Sequence, residues 1–226
     1  MNVERIRRNL ENLKRITCAS DRTGWMIDDV SAYVYNIVKF YKPDLVLQIG
    51  HLWGKSACII LEALTDDFLT EENTFESGQL SGDKKFYEFT SKNTPRNKNK
   101  QKLISVDAYP YGNWKNGIKF LEDNYSNFEY IVSKSDDYFK NSSFDLKEKY
   151  PLHEKTILGI VDGDHTYEGC YKDLINMKKI GAKVIIVDDT LWIDHINQAA
   201  ENFSKKYNYS YLNHKLYNGI GILVRG

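Results

Sequence analysis

Ile157-Leu158-Gly159-Ile160-Val161-Asp162-Gly163-Asp164-His165 and, further on, Val184-Ile185-Ile186-Val187-Asp188-Asp189-Thr190 decide how this chain folds. Each is a short apolar run that stops on carboxylates, as expected of a strand covered on both faces. The stretch between them has a helix-like pattern. A strand, a crossover helix and a second strand form a parallel pair, and such neighbours end at the same edge of a sheet. Open α/β sheets place their ligands at that carboxyl edge. Carboxylates crowded there cannot all stay ionised without a cation or a strong rise in pKa. A divalent metal or a catalytic carboxylate cluster is therefore expected.

Working outward, strands and helices alternate. Residues 1–20 are polar and helix-compatible, with Val3, Ile6, Leu10 and Leu13 forming an apolar stripe. A second helix fits Asp28 to Tyr41 and is ended by Pro43. Leu45 to Gly50 reads as a buried first strand and Lys55 to Leu64 as the helix after it. Leu103 to Asp107 and Phe128 to Val132 read as strands, Ile118 to Tyr125 and Ile193 to Tyr207 as helices. Tyr209 to Leu212 and Ile220 to Val224 read as a closing hairpin. The class is α/β with a mostly parallel sheet, in one domain over 1–226 that includes N-terminal helices over 1–41. Residues 65–102 are polar and weakly periodic, too long for an ordinary connection, so a surface insertion or a lid is expected there.

The 226 residues carry 31 Lys+Arg against 31 Asp+Glu, so no global field draws the chain to nucleic acid or anionic membrane. Cys18, Cys58 and Cys170 are few and unpatterned, which argues for a reducing compartment and against a thiolate zinc site. The N-terminus, with Glu4, Arg5, Arg7 and Arg8, has no signal-peptide core, and no apolar run is long enough to span a bilayer. A cytoplasmic protein is expected.

Gln48-Ile49-Gly50-His51-Leu52-Trp53-Gly54-Lys55-Ser56 joins the first strand to its helix. Gly50 and Gly54 allow close backbone approach, and a helix start offers free N–H groups. The spacing is neither GxxxxGK[ST] nor GxGxxG, which excludes a P-loop and disfavours a nicotinamide dehydrogenase. Asp107, ending the second strand, either accepts from both ribose hydroxyls of a nucleoside or caps the loop that follows it.

These pieces resemble the class I S-adenosylmethionine-dependent methyltransferases, closest to the small sugar O-methyltransferases of macrolide and aminocoumarin biosynthesis. QIGHLWGKS (Gln48 to Ser56), SVDAYP (Ser105 to Pro110), VDGDHTYEGCYKDL (Val161 to Leu174) and GAKVIIVDDT (Gly181 to Thr190) carry the resemblance. It implies a Rossmann-like, doubly wound, seven-stranded sheet with helices on both faces and an antiparallel strand ending at Val224. It implies a cofactor site at Gln48, Gly50, His51, Gly54, Ser56, Asp107, Ser135, Asp136 and Asp162. Asp162, Asp188 and Asp189 match the positions that bind a divalent cation in metal-dependent relatives, and a homodimer is common there. Gln48 stands where an acid is usual, and Leu52 where the wider superfamily has glycine.

The chemistry then expected is transfer of an activated methyl group to a hydroxyl of a small molecule such as a sugar or glycoside. All-oxygen ligation suits magnesium, manganese or calcium better than zinc. His165 is the expected general base, with Asp162 or Asp164 sharing or orienting that role. Tyr167, Trp192 and His195 either shape the acceptor pocket or pack. A metal-free methyltransferase and a cofactor-fold binding protein without turnover are the alternatives.

Overall fold

Apolar runs without alternation need cover on both faces, and the chain supplies it with helices from two sides. A computed structural model describes residues 3–18, 28–65, 101–109, 113–141 and 155–226. The helices are α1 (Val3–Thr17), α2 (Asp28–Tyr41), α3 (Lys55–Thr65), α4 (Trp114–Asn124), α5 (residues 135–141), α6 (Tyr167–Lys179) and α7 (Asp194–Tyr207). The strands are β1 (Leu45–Ile49), β2 (Lys102–Asp107), β3 (Phe128–Val132), β4 (Ile157–Val161), β5 (Val184–Asp188), β6 (Tyr209–His214) and β7 (Ile220–Arg225). They form one seven-stranded sheet in the order β3-β2-β1-β4-β5-β7-β6. β7 runs antiparallel to both its neighbours, and the remaining pairs are parallel. The final hairpin therefore inserts its second strand beside β5 and leaves β6 at the edge. The insertion expected between residues 65 and 102 lies outside the described residues, apart from its two ends. Among the described residues no helix is long and apolar enough to cross a membrane.

Alternation along the strands divides the core into two layers. Val46, Leu103, Leu158 and Ile186 pack with Val34, Ile60 and Leu121 on the side of α1–α4. Leu45, Leu47, Val106, Ile157 and Val187 pack with Leu174, Met177 and Phe203 on the side of α5–α7. β1 and β4 are buried along their whole length. Thr166 caps α6 by accepting from the Gly169 N–H at 3.0 Å. Asn208 ends α7 in the left-handed conformation.

α4 starts at Trp114, a full turn before the apolar stripe that signals it. Gly117 hides that turn, because glycine is a poor helix former. Packing explains its presence: a Cβ there would lie 2.9 Å from Thr17 Cγ2 and 3.0 Å from the Trp53 carbonyl. α5 has no periodic signal of its own and is held by Tyr138 and Phe139, both buried in the second layer.

α1 is anchored by a polar contact. Glu62 of α3 is fully buried and meets Arg5 at 2.6 Å, Asn9 Nδ2 at 2.8 Å and Tyr125 Oη at 2.5 Å. A buried carboxylate is tolerable only when so paired, and losing its cation leaves the charge to neutral donors. Arg5→Ala should lower stability in urea unfolding by about 1–3 kcal/mol, discounted for the partial exposure of Arg5. Lys119→Ala, which breaks an exposed pair with Asp123, should change it by less than about 0.5 kcal/mol.

Candidate active site

β1 is flanked by β2 on one side and β4 on the other, so the chain reverses its progress across the sheet between β1 and β4. That reversal opens a crevice at the carboxyl ends of the strands. Gly50 leaves β1 at φ +88°, donating its N–H to the Val106 carbonyl, while Asp162 leaves β4 donating to Ile49. A Cβ at Gly50 would lie 1.9 Å from the Asp162 carbonyl oxygen, so only glycine fits. The loop from Gly50 and the first acidic strand end are thus pressed together.

The loop closes with Gly54 at φ +81°, whose N–H donates to the His51 carbonyl at 2.9 Å. Asp107 holds it from the side. Its Oδ2 accepts the His51 N–H at 2.8 Å and the Leu52 N–H at 3.4 Å, and its Oδ1 accepts from the Tyr109 N–H at 3.0 Å. Asp107 therefore does cap the following segment. A carboxylate has about four acceptor sites, so it can also receive ribose hydroxyls.

Three residues expected at the cofactor lie beneath the loop with their side chains in the core. Gln48 is fully buried, donates from Nε2 to Ser56 Oγ at 2.7 Å and accepts from Ser105 Oγ at 3.0 Å. A polar side chain inside a strand buried on both faces must find such partners, and both ends of the amide are used. Ser56 is buried in the same contact. The His51 ring is 3% exposed, stacked 5.8 Å from Phe128 and edge-on to Tyr130 at 4.9 Å. Only the main chain of His51 is turned to the Asp107 side of the loop.

Ser135 and Asp136 open α5 and face α6. Asp136 accepts from Asn176 Nδ2 at 3.3 Å and lies 3.7 Å from Lys172 Nζ. Ser135 bonds the buried Asp173, whose burial pushes its carboxyl up to about 7.

At the other side of the crevice the acidic ends meet. His165 Nε2 lies 3.6 Å from Asp162 Oδ1 and 3.4 Å from Asp189 Oδ2. One donor atom from each of Asp162, His165 and Asp189 lies within 4.8 Å of the others, a spacing that suits a single divalent ion. Asp188, expected as an equal third carboxylate, is placed differently. Its Oδ1 accepts the Asp189 N–H at 2.9 Å, because Asp189 turns the chain at φ +59°. Asp188 backs the cluster with charge, and His165 stands against the two carboxylates that face each other, Asp162 and Asp189. Asp164, also expected near the chemistry, has Oδ1 engaged by the Thr166 N–H at 3.0 Å at the entry to α6.

The electrostatics follow from the crowding. Burial, then Asp162 and Asp189, push the Asp188 carboxyl well above the usual range. Burial and then Asp162 raise Asp189, against the pull of His165 and a hydrogen bond from Asn218. Hydrogen bonding to Asp162 chiefly raises His165, burial opposes it, and the charges of Asp162, Asp189 and Asp188 add to the rise. These groups share protons or a cation, as the sequence pattern requires.

Around the cluster, His195 Nε2 meets the His165 carbonyl at 2.6 Å and Trp192 is 67% exposed. Tyr167 stacks on Tyr171 at 5.7 Å, and its hydroxyl accepts from Asn202, so it packs α6 on α7. Asn213 and Asn218, from the β6–β7 hairpin, also reach the Asp189 segment and were given no role by the sequence pattern. The two strand runs marked the hairpin but not where it docks.

Burial lowers His51 to about 4. The unfolded chain, with an ordinary histidine near 6.5, then binds the extra proton first. The penalty for keeping His51 unprotonated is therefore absent above about pH 6.5, and stability falls progressively as pH drops from there to about 4. In urea titrations His51→Phe should flatten that limb by on the order of 2 kcal/mol and should not lower neutral-pH stability, because both His51 ring nitrogens are buried without a partner.

No protein-family profile matches the sequence, and no curated protein matches it. Solved structures do match its fold. An O-methyltransferase from Bacillus cereus in complex with SAH has 14% identity and a TM-score of 0.62, with 96% of this chain and 91% of that one covered. A methyltransferase from Geobacter sulfurreducens has 14% identity and a TM-score of 0.61, covering 96% and 87%. The O-methyltransferase of tomaymycin synthesis from Streptomyces achromogenes, in complex with SAM, has 13% identity and a TM-score of 0.60, covering 98% and 89%. The fold of this chain is the Rossmann-like fold of those enzymes.

Proposed function

We propose that the protein is an S-adenosylmethionine-dependent O-methyltransferase acting on a hydroxyl of a small molecule, with a divalent cation at the carboxylate cluster. One observation carries this reading: Gly50 can touch the main chain of Asp162. It sets a loop of nucleoside-binding type against an acidic cluster, so methyl donor and acceptor share one crevice. The neighbours in fold that hold SAM or SAH support the choice of donor. The sequence resemblance supports a sugar or glycoside as acceptor and magnesium as the cation.

When bound, S-adenosylmethionine supplies a methyl group already activated by its sulfonium. The chain's task is alignment and proton removal, and alignment alone is worth about 7–11 kcal/mol when geometry is right. Asp107 holds the ribose side while keeping the loop N–H groups of His51 and Leu52 in place. Asp162 and Asp189, backed by Asp188, would hold the cation, which would polarise the acceptor hydroxyl and steady its negative charge. His165, between the two carboxylates, takes the hydroxyl proton. Asp162 and Asp189 stabilise the imidazolium that results. Trp192, exposed just beyond Asp189, offers an apolar face to the acceptor.

Calorimetry should detect S-adenosylmethionine binding and none of NAD, and Asp107→Ala should weaken the former by about 10–100-fold. In an acceptor screen, methyl transfer should stop on chelation and return with magnesium or manganese. Asp189→Ala should lower kcat/KM about 100-fold or more, and His165→Asn about 10²–10⁴-fold. Wild-type rates after chelation and in Asp189→Ala would leave a metal-free methyltransferase. Tight cofactor binding without transfer to any acceptor would leave a binding protein.

A further inference from the structure

The two halves of the carboxylate cluster are held very differently. Asp162 sits at the end of a central strand, with its N–H bonded to Ile49 and its carbonyl against Gly50. Asp189 has left β5 and stands at φ +59°, a left-handed conformation that is unfavourable for a non-glycine residue. Its position must be maintained from outside.

The β6–β7 hairpin does this. Leu191 and Trp192 both donate their N–H groups to the Asn218 carbonyl, at 2.7 and 2.9 Å, and Thr190 donates its own to Gly219 at 3.3 Å. The Asn218 side chain lies close enough to the Asp189 carboxylate to favour its charged form. Gly219, at φ +88°, is a required glycine: a Cβ there would lie 2.3 Å from Leu191 N and 2.7 Å from Thr190 Oγ1. Below the loop a polar chain leads away from Thr190, which is 1% exposed. Thr190 Oγ1 donates to Asn213 Oδ1 at 2.8 Å. Asn213 Nδ2 donates to Asn197 Oδ1 at 2.9 Å, and Tyr211 Oη donates to the same oxygen at 2.7 Å. Asn197 Nδ2 ends the chain on Glu201 Oε1 at 3.0 Å. Each amide is used in one orientation, so the chain locks β5's exit to β6 and α7.

We propose that Thr190 is a positioning residue: its hydroxyl, tied to Asn213 of the hairpin, holds the Asp189 carboxylate where it faces Asp162 and His165. Asp162 is set by the sheet; the Asp189 main chain is held locally by Asp188 Oδ1 and the Ile193 N–H, and the hairpin fixes the segment that follows it. Cation affinity, and placement of the acceptor beside Trp192, then depend on a hairpin that β4 and β5 separate from β1 and the loop that follows it. This rests on the reading of Asp189 as a cation ligand, but the clamp itself is geometric and has its own readout.

The test uses Thr190→Val, nearly isosteric and lacking only the hydroxyl's bond, beside Thr190→Ser, which keeps it. Two measurements are made on the full chain: manganese affinity by calorimetry, and amide hydrogen exchange at Leu191 and Trp192 without metal. Thr190→Val should weaken manganese binding about tenfold and speed exchange at those two amides about tenfold. Exchange at the Asp162 amide and affinity for S-adenosylmethionine should stay within about twofold of wild type, as should every property of Thr190→Ser. Unchanged exchange at Leu191 and Trp192 in Thr190→Val would overturn the proposal, whatever the metal does. So would a parallel acceleration at Asp162, which would mark a general loss of stability. Accelerated exchange at those two amides alone, with no manganese bound even by wild type, would uphold the clamp and refute the cation reading.

Discussion

The contact between Gly50 and the Asp162 carbonyl is the constraint on which the site depends. β1 and β4 pair in parallel from Leu45 and Ile157 up to Ile49 and Val161, so their exits must pass each other at the switch point. A side chain at position 50 would push them apart. With glycine there, one exit folds over as a loop tied to Asp107, and the other presents Asp162. The proximity of a nucleoside-type loop to an acidic cluster is thus a property of two adjacent strands, not of long-range docking.

Around that junction the polar groups sort by burial. Those buried between the sheet and α3, Gln48, Ser56 and Ser105, satisfy one another and are spent on structure. Those at the carboxyl edge, Asp162, Asp188, Asp189 and His165, are left crowded, and their mutual repulsion is relieved only by shared protons or a cation. The raised acids and raised histidine describe the same imbalance from both sides. Structure is settled in the interior and chemistry is left at the rim.

The central strands were legible in the sequence because β4 and β5 are continuous apolar runs ending at carboxylates, and β1 and β2 are each interrupted by one polar residue. The layered order and the antiparallel β7 came with the family resemblance and are present in the structure. Less legible was whatever depends on side-chain direction. His51 and Gln48 look like loop and edge residues in a linear motif, yet one turns under the loop and the other lies inside a strand. Asp188 and Asp189 look equivalent, but a left-handed turn between them sends one carboxylate to a backbone N–H and leaves the other facing His165. The hairpin's hold on Thr190 joins residues 23 apart in sequence, and no local pattern announces it.

The central claim is that one cation and one methyl donor occupy neighbouring positions in the crevice between β1, β4 and β5. A crystal grown with S-adenosylhomocysteine and manganese, measured at the manganese absorption edge, tests it most directly. An anomalous peak is expected about 2.0–2.3 Å from carboxylate oxygens of Asp162 and Asp189, with the nucleoside ribose on Asp107. A peak elsewhere, or a nucleoside bound away from the Gly50 loop, would contradict it.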